Sequence, residues 1–293
     1  MDGMGTVRPR SSLSLNRPLR RTVTSVRVTA VREGAGVDRP DRVATEEPLE
    51  IRAGSPGQEP VAVAVTMRTP GNDFELGAGF LYTEGLIHSR DEVLSVGYCD
   101  LPPDDQLYNV VTVRLAQPLD PSAVKRNFYV TSSCGVCGKA SLDQIEVRCE
   151  AIGPGPVVAR SVLLALPETL RQAQAIFAET GGLHAGGLFE ADGTLVATRE
   201  DVGRHNAVDK LVGMALLGGE LPLSGRILLV SGRVSFEIVQ KAAVAGVPVV
   251  CAVSAPSSLA VEAADRLGMT VVGFLRDGRF NLYTHPERID LEG

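Results

Sequence analysis

The sequence predicts an α/β protein, α+β when taken whole, with a smaller β-rich N-terminal half and a three-layer α/β/α C-terminal half. Three observations carry this. Beyond residue 220, Arg226–Val230 (RILLV), Pro248–Val253 (PVVCAV) and Thr270–Leu275 (TVVGFL) are continuous branched-apolar runs separated by segments of helical length. Strands of that composition are buried on both faces, as in parallel sheets covered by helices. Before residue 120 the apolar runs are short, Val-rich and interrupted by turn residues, the texture of a separate β-rich unit. Between the halves, GPGP at Gly153–Pro156 marks a turn or linker.

Taken in order, residues 1–20 form a basic, Ser-containing tail, expected to be disordered. There are six arginines before residue 28 and no apolar core, so the start does not read as a secretory signal. Residues 21–130 form the β-rich domain. Thr22–Val31 alternates, and Pro60–Met67, Val93–Tyr98 and Tyr108–Leu115 read as strands. Asn72–Glu84 reads as a helix capped by Asn72, with Phe74, Leu76, Ala78, Phe80 and Leu81 as its apolar face. Residues 131–160 hold a cysteine pair and the linker, and 161–293 the second domain. There, Pro167–Glu179 reads as a helix starting at its proline. Gly186–Glu190 and Thr194–Thr198 flank an Ala191-Asp192-Gly193 hairpin turn, and helices are expected over Arg204–Leu217, Phe236–Ala245 and Leu259–Leu267.

The composition narrows the function. The chain has 293 residues, 44% hydrophobic and 22% charged, enough for a sizeable core. A net charge of −6, 4% aromatics and no Trp argue against a nucleic-acid platform or an anionic membrane surface. No apolar run reaches the roughly 20 residues of a bilayer span. Five cysteines, an odd count in a long chain, fit reduced thiols in a cytoplasmic setting rather than a secreted disulfide framework.

The most informative segment is TSSCGVCGK, Thr131–Lys139. A C-x-x-C pair serves three chemistries: half of a zinc site, a disulfide cycle, or a persulfide relay. A closed zinc site takes about four ligands. Cys99, Cys149, His184 or His205 would have to complete it, and their spacing does not suggest it. A thioredoxin-like pair follows the first strand of a βαβ unit, whereas this one lies in a Ser/Gly-rich loop between domains. Gly135 and Gly138 open the loop, while Lys139 and a following helix start at Lys139–Cys149 favour a thiolate on Cys134 or Cys137. Cys251, inside an apolar strand, reads as core.

In open α/β sheets, ligands sit beyond the carboxyl ends of the strands. Three loops meet that condition: Ser231-Gly232-Arg233-Val234-Ser235, Ser254-Ala255-Pro256-Ser257-Ser258 and Arg276-Asp277-Gly278-Arg279. Hydroxyls, guanidinium groups and two helix starts suit phosphate, although no loop is a Walker or GxGxxG motif and Asp277 repels anions. Glu200–Asn206 is a second dense polar segment, with Asp201 or Asn206 as a cap. His205 is either hydrogen-bonded structure or a group lining a cofactor cleft, and His184, among glycines, is open in the same way.

Together these segments resemble the formate dehydrogenase accessory sulfurtransferase family (FdhD/NarQ) from about residue 20 to 290. The most specific stretches are SSCGVCGK at Ser132–Lys139, REDVGRHNAVDK at Arg199–Lys210, FEIVQKAAVAGVPVVCAVSAPSSLAVEAADRLG at Phe236–Gly268 and YTHPER at Tyr283–Arg288. The resemblance implies a cytidine-deaminase-like C-terminal domain without deaminase activity. It implies a sulfur carrier that takes persulfide sulfur from a cysteine desulfurase. The sulfur goes to the molybdenum cofactor, bis-molybdopterin guanine dinucleotide, before formate dehydrogenase receives it, so a guanine nucleotide is expected to mimic the ligand. Carried onto this chain, the persulfide falls on Cys134, with Cys137 as its partner. The cofactor-binding turn falls on Phe274, Leu275, Arg276, Asp277, Gly278 and Arg279, whose composition Leu275 and Asp277 vary. Ser231, Arg233, Ser254 and His205 complete the expected cofactor contacts, no resident metal is expected, and the resemblance implies a homodimer. The rival expectations are a cofactor-binding chaperone without sulfur chemistry and a structural zinc protein.

Overall fold

The computed structural model describes residues 21–32, 34–99, 102, 106–120 and 152–293. The Cys134/Cys137 pair and Cys149 lie outside the described residues. Strands β1 (Val23–Arg32) and β2 (Ala35–Ala44) form an antiparallel hairpin. An Arg42–Glu179 ion pair ties it to the C-terminal half.

Strands β3 (Glu47–Gly54), β4 (Val61–Arg68), β5 (Val93–Tyr98) and β6 (Val110–Leu115) make a four-stranded sheet in the order β4-β3-β6-β5. Within it, β3 and β6 run parallel and the other pairs antiparallel. Helix α1 (Asp73–Thr83) covers one face, setting Leu76 and Leu81 against Ile51, Val111 and Val113. Asn72 stands at the N-cap position, but in the left-handed region (φ 58°) and without a side-chain cap bond. The acid at the helix start acts instead: Asp73 Oδ1 accepts from the Gly71 N–H at 3.2 Å and Oδ2 from Arg68 Nη2 at 2.9 Å.

The C-terminal half runs α2 (Arg160–Ala173), α3 (Ala175–Thr180), β8 (His184–Glu190), β9 (Leu195–Asp201), α4 (Arg204–Gly218), β10 (Arg226–Val230), α5 (Phe236–Val244), β11 (Val249–Ala252), α6 (Ser258–Arg266), β12 (Thr270–Arg276) and β13 (Arg279–Thr284). Two short strands, β7 (Val158–Ala159) and β14 (Ile289–Asp290), pair parallel beside it. The six-stranded sheet has the order β13-β12-β11-β10-β8-β9, with β10, β11 and β12 parallel and the rest antiparallel. Successive strand residues point to opposite faces. Ile227, Leu229, Val249, Cys251 and Val272 meet Leu163, Leu166 and Leu170 of α2. On the other face, Leu228, Val230, Val250 and Val271 meet α4, α5 and α6 through Leu211, Ile238, Val239 and Ala263. The sheet is therefore covered on both sides, which is why its strands read as unbroken apolar runs.

Strands β2, β3, β7 and β14 lie outside the elements read from the sequence, and the helix at Pro167 and the turn after β12 differ from the reading. The helix expected to begin at Pro167 begins at Arg160 and carries Pro167 inside it. An interior proline costs about 3 kcal/mol, but the Leu163, Leu166, Leu170 stripe is fully buried against the sheet, and packing of such a stripe supplies most helix stability. The polar turn after β12 is followed by a further strand, β13. Asp277 (φ 53°) and Gly278 (φ 71°) both take the left-handed conformation, and Arg276 pairs with Arg279 across a two-residue turn of the type that matches strand twist.

The two halves join where α1 crosses α4. A Cβ on Gly79 would overlap the Asp209 carbonyl oxygen and lie 2.7 Å from Gly213 N; one on Gly213 would overlap the Glu75 carbonyl and lie 2.8 Å from Gly79 N. The helices touch backbone to backbone. Buried charges surround the crossing. Lys241 Nζ donates to both Asp209 oxygens at 2.9 and 3.0 Å, to Thr83 Oγ1 at 2.9 Å and to Glu84 Oε1 at 3.0 Å, joining α1, α4 and α5. Arg199 forks onto Glu75 at 2.6 and 2.9 Å.

Gly to Ala in a helix interior ordinarily stabilises by about 1 kcal/mol. Here Gly213→Ala is expected to destabilise by about 2 kcal/mol or more, because the added carbon forces the helices apart. Urea unfolding of the variant measures this, and a gain in stability would contradict the crossing.

Candidate functional site

The carboxyl ends of β10, β11 and β12 define one edge of the large sheet. Because β8 runs antiparallel to β10, its first residue, His184, lies at that edge, and because β9 returns antiparallel to β8, its last residue, Asp201, lies there too. The Asp201–Arg204 turn therefore meets the loops after the parallel strands.

Asp201 is fully buried and organises this turn. Its Oδ1 accepts from the Gly203 N–H at 2.8 Å and Asn206 Nδ2 at 2.9 Å; its Oδ2 accepts from the Thr69 N–H at 3.2 Å and Lys210 Nζ at 2.6 Å. Lys210 also donates to the carbonyls of Thr69 and Glu200. Neither Asp201 nor Asn206 caps α4 in the expected way. Gly203 takes the cap position and Asn206 lies inside the helix, donating to the Met67 carbonyl at 2.8 Å. Asp201, Asn206 and Lys210 are interior, while Glu200 and Arg204 are half-buried. A signal for this was available: Asn206, Asp209 and Lys210 stand beside Ala207, Val208, Leu211 and Val212 in a helix that turns apolar from there on.

The turn sets Arg204 and His205. His205 Nε2 lies 3.2 Å from Ser235 Oγ at the start of α5 and 3.9 Å from Glu237. Burial, reinforced by the Arg204 guanidinium, lowers its pKa to about 4, so it is neutral at pH 7. His184 is lowered for the same two reasons, burial first and Arg204 second, against a weaker opposing pull from Asp201. Gly232 fits between them: a Cβ there would stand 3.4 Å from His184 Nδ1 and 3.9 Å from Arg204 Cδ. Arg204 Nε is buried with no hydrogen-bond partner.

Of the residues expected to contact a cofactor, Ser231 is partly committed to structure, its Oγ accepting from the Ala185 N–H at 2.9 Å. Arg233 is exposed and Ser254 half-buried. The Ser254 carbonyl accepts from the Phe274 N–H at 3.0 Å, bringing the β11 loop against the β12 end. Phe274 is half-buried with φ 52°. Leu275 is fully buried in the core under α2, so its side chain faces away from the edge and only its backbone remains available. Arg276, Asp277, Gly278 and Arg279 form the exposed hairpin tip. Arg276 stands 5.9 Å over the Phe274 ring and 3.8 Å from the Asp277 carboxylate. Ser257 accepts from the Ala260 N–H and caps α6. The structure thus joins His205, Ser231 and Ser235 with His184, which the sequence left open, and with Arg204, which it did not assign. It places the Arg276–Arg279 tip farther along the sheet. Cys251 is wholly buried, and burial pushes its thiol pKa up, which makes it inert packing. Among the described residues no helix is long and apolar enough to cross a membrane.

A four-stranded sheet locked through one helix crossing to an α/β sandwich, with an arginine and two neutral histidines gathered at the sandwich's carboxyl edge, defines a two-part α/β protein distinct from a dinucleotide-binding or P-loop domain. The chain belongs to the FdhD/NarQ family, whose model matches residues 44–290. It is 53% identical over 269 residues to the sulfur carrier protein FdhD of Mycolicibacterium paratuberculosis, covering 90% of this chain and 97% of that one. It is 47% identical over 268 residues to the protein of the same name from Sulfurisphaera tokodaii, covering 91% and 99%. A crystal structure of a protein described as a formate dehydrogenase accessory protein, from Desulfotalea psychrophila, shares the fold with a TM-score of 0.70 over 92% of this chain and 100% of that one, at 24% identity.

The neutral state of His205 is open to measurement. In an imidazole NMR titration it is expected to change protonation near pH 4 rather than near 6.5. Between those values the unfolded chain binds a proton that the folded chain refuses, so stability falls as pH drops through that window, and His205→Gln should remove this residue's share of the loss. A midpoint above pH 6 would contradict the burial described.

Proposed function

We propose that this protein carries sulfur for the maturation of formate dehydrogenase. The observation that carries the reading is the 53% identity, over nearly the whole of both chains, to a protein named as a sulfur carrier. The C-x-x-C pair supports it from the chemical side. Cys134 or Cys137, as thiolate, attacks the outer sulfur of a cysteine desulfurase persulfide. A new S–S bond forms on this chain, the desulfurase S–S bond breaks, and the desulfurase thiolate leaves, so the exchange is balanced in atoms and electrons. A thiolate is the nucleophile in such exchanges, and Lys139 next to the pair favours it.

The acceptor in this reading is bis-molybdopterin guanine dinucleotide, bound as substrate at the edge formed by the loops after β10, β11 and β12. A cytoplasmic homodimer is the working form. Cargo binding is supported by a cationic and hydroxyl-bearing edge: among the described residues no triad of nucleophile, base and orienting acid is assembled there, and Asp201 is saturated by four donors.

Incubation with a desulfurase and cysteine is expected to add one sulfur, about 32 Da, to the peptide holding Cys134 and Cys137. Cys134→Ala and Cys137→Ala should each lower activation of formate dehydrogenase by tenfold or more. Full activation by both variants would leave a cofactor chaperone as the reading, and one zinc per chain lost in the double variant would favour a structural metal site.

A further inference from the structure

Strands β1 and β2 pair with each other and, among the described residues, with no other strand. The base of this hairpin is moored. Arg42 meets Glu179 of α3, and a Cβ on Gly182 would stand 3.6 Å from Ala44 Cβ. Beyond its base the hairpin stands clear, with Val31 70% and Val37 63% exposed. A lone two-stranded ribbon is marginal in water, and further strands are what ordinarily stabilise it. Its two outer edges are not equivalent. The Thr45 N–H donates to the Thr22 carbonyl at 2.9 Å, and the register runs on from there without a shift. Hydrogen-bonded and non-bonded pairs alternate along an antiparallel ladder. The odd-numbered residues of β1, from Val23 to Val31, therefore turn their backbone groups outward, as do the even-numbered residues of β2, from Gly36 to Ala44. Pro40 is among the latter and has no N–H to offer, which blunts the β2 edge. The β1 edge contains no proline, so every outward donor is intact.

We propose that the outer edge of β1 docks a second copy of this chain. The two β1 strands pair antiparallel about a two-fold axis, giving a four-stranded sheet in the order β2-β1-β1-β2. This deepens the homodimer of the proposed function and rests on it. An isologous contact must be self-complementary, and the residues of β1 select the register. Centring the axis on Arg27 would set two guanidinium groups directly opposite each other, which destabilises a sheet. Centring it on Val28 sets valine against valine, Ala30 against Val26 of the partner subunit, and Arg27 against Thr29 of the partner subunit. Within each hairpin Thr29 Oγ1 donates to Asp38 Oδ1 at 2.7 Å, which draws that carboxylate toward the β1 edge. It then lies in one row with Arg27 of the other copy, two strand spacings or roughly 10 Å away, a gap that the long arginine stem helps to span. An unrelated strand would have to bring its own acid to Arg27, whereas a second copy carries Asp38 in register. The base of one hairpin meets the tip of the other, so the two bodies lie at opposite ends of the shared sheet.

Sedimentation of the full chain at micromolar concentration is expected to show a dimer. Ser25→Pro removes one outward N–H and leaves the β1–β2 ladder in place, as Pro40 does on the other strand. It should weaken dimerisation by about tenfold or more. Arg27→Glu should weaken it by about threefold, and Arg27→Glu combined with Asp38→Arg should restore it, a recovery that misfolding would not give. Val28→Cys sets two thiols at a non-bonded pair with about 4.5 Å between Cα atoms, and the oxidant diamide should join them into a covalent dimer identified by peptide mass. The proposal is overturned if the parent chain sediments as a monomer, if Ser25→Pro dimerises as the parent does, or if Val28→Cys gives no cross-link through position 28. Ser25→Pro that stays dimeric but no longer takes sulfur from a desulfurase would assign the edge to the desulfurase and overturn it as well. Its failure is distinct from that of the sulfur-carrier reading. A monomeric parent that still gains sulfur on the Cys134/Cys137 peptide overturns the dimer edge alone, and a dimer that gains none overturns the carrier role alone.

Discussion

The structure depends on one close approach, the crossing of α1 and α4 at Gly79 and Gly213. Two helix backbones meet there with no side chain between them, closer than ordinary ridge-and-groove packing at 8–10 Å between axes allows for larger residues. Once the crossing is set, the rest follows by reach. Glu75 of α1 finds Arg199 of β9, and Thr83 at the end of α1 finds Asp209 and Lys241. Thr69, just before α1, is held by Asp201 and Lys210. Leu216 of α4 enters the core of the N-terminal sheet. The two halves thus share a helix pair rather than merely touching.

The same crossing fixes the start of α4, and with it the charge pattern at the sheet edge. Interior charges in this protein are met by several partners each. Lys210, Lys241, Asp201 and Asp209 are all nearly or fully buried, and each has multiple hydrogen bonds, the condition under which buried charge is tolerated. Among the described residues Arg68 and Arg204 each depart from that rule at Nε, and the two histidines beside Arg204 are held neutral by burial and by its charge.

This arrangement separates the tasks a sulfur carrier needs. Sulfur exchange requires a reachable thiolate, which the Ser/Gly-rich context of Cys134 and Cys137 favours at the level of sequence. In the proposed function, retention of the anionic cofactor falls to the edge between α4, α5 and the parallel strands. Cys251, although chemically the same residue, is removed from this chemistry by complete burial in β11.

Much of the large sheet was legible in the sequence because its strands are buried on both faces and each side chain reports only on burial. RILLV, PVVCAV and TVVGFL became β10, β11 and β12, and the intervening helices fell within one or two residues of their expected ends. The hairpin at Ala191–Gly193 and the helix after Asn72 were also readable from turn residues and apolar spacing. Less legible were features whose meaning lies in a distant partner. Pro167 reads as a helix start because local preference is all a sequence displays, while the burial of Leu163, Leu166 and Leu170 decides otherwise. Asp201 and Asn206 read as helix caps, since each is recognised as interior only when Thr69 and Met67, about 130 to 140 positions away, come to meet it. The sequence by itself determined the α/β class, the parallel core and the loops that end at its edge, because those rest on composition and period. Only the tertiary structure decided which arginine faces inward, which histidines lose their charge and which expected contact, Leu275, turns into the core, because burial and electrostatic neighbourhood are properties of packing and not of residue type.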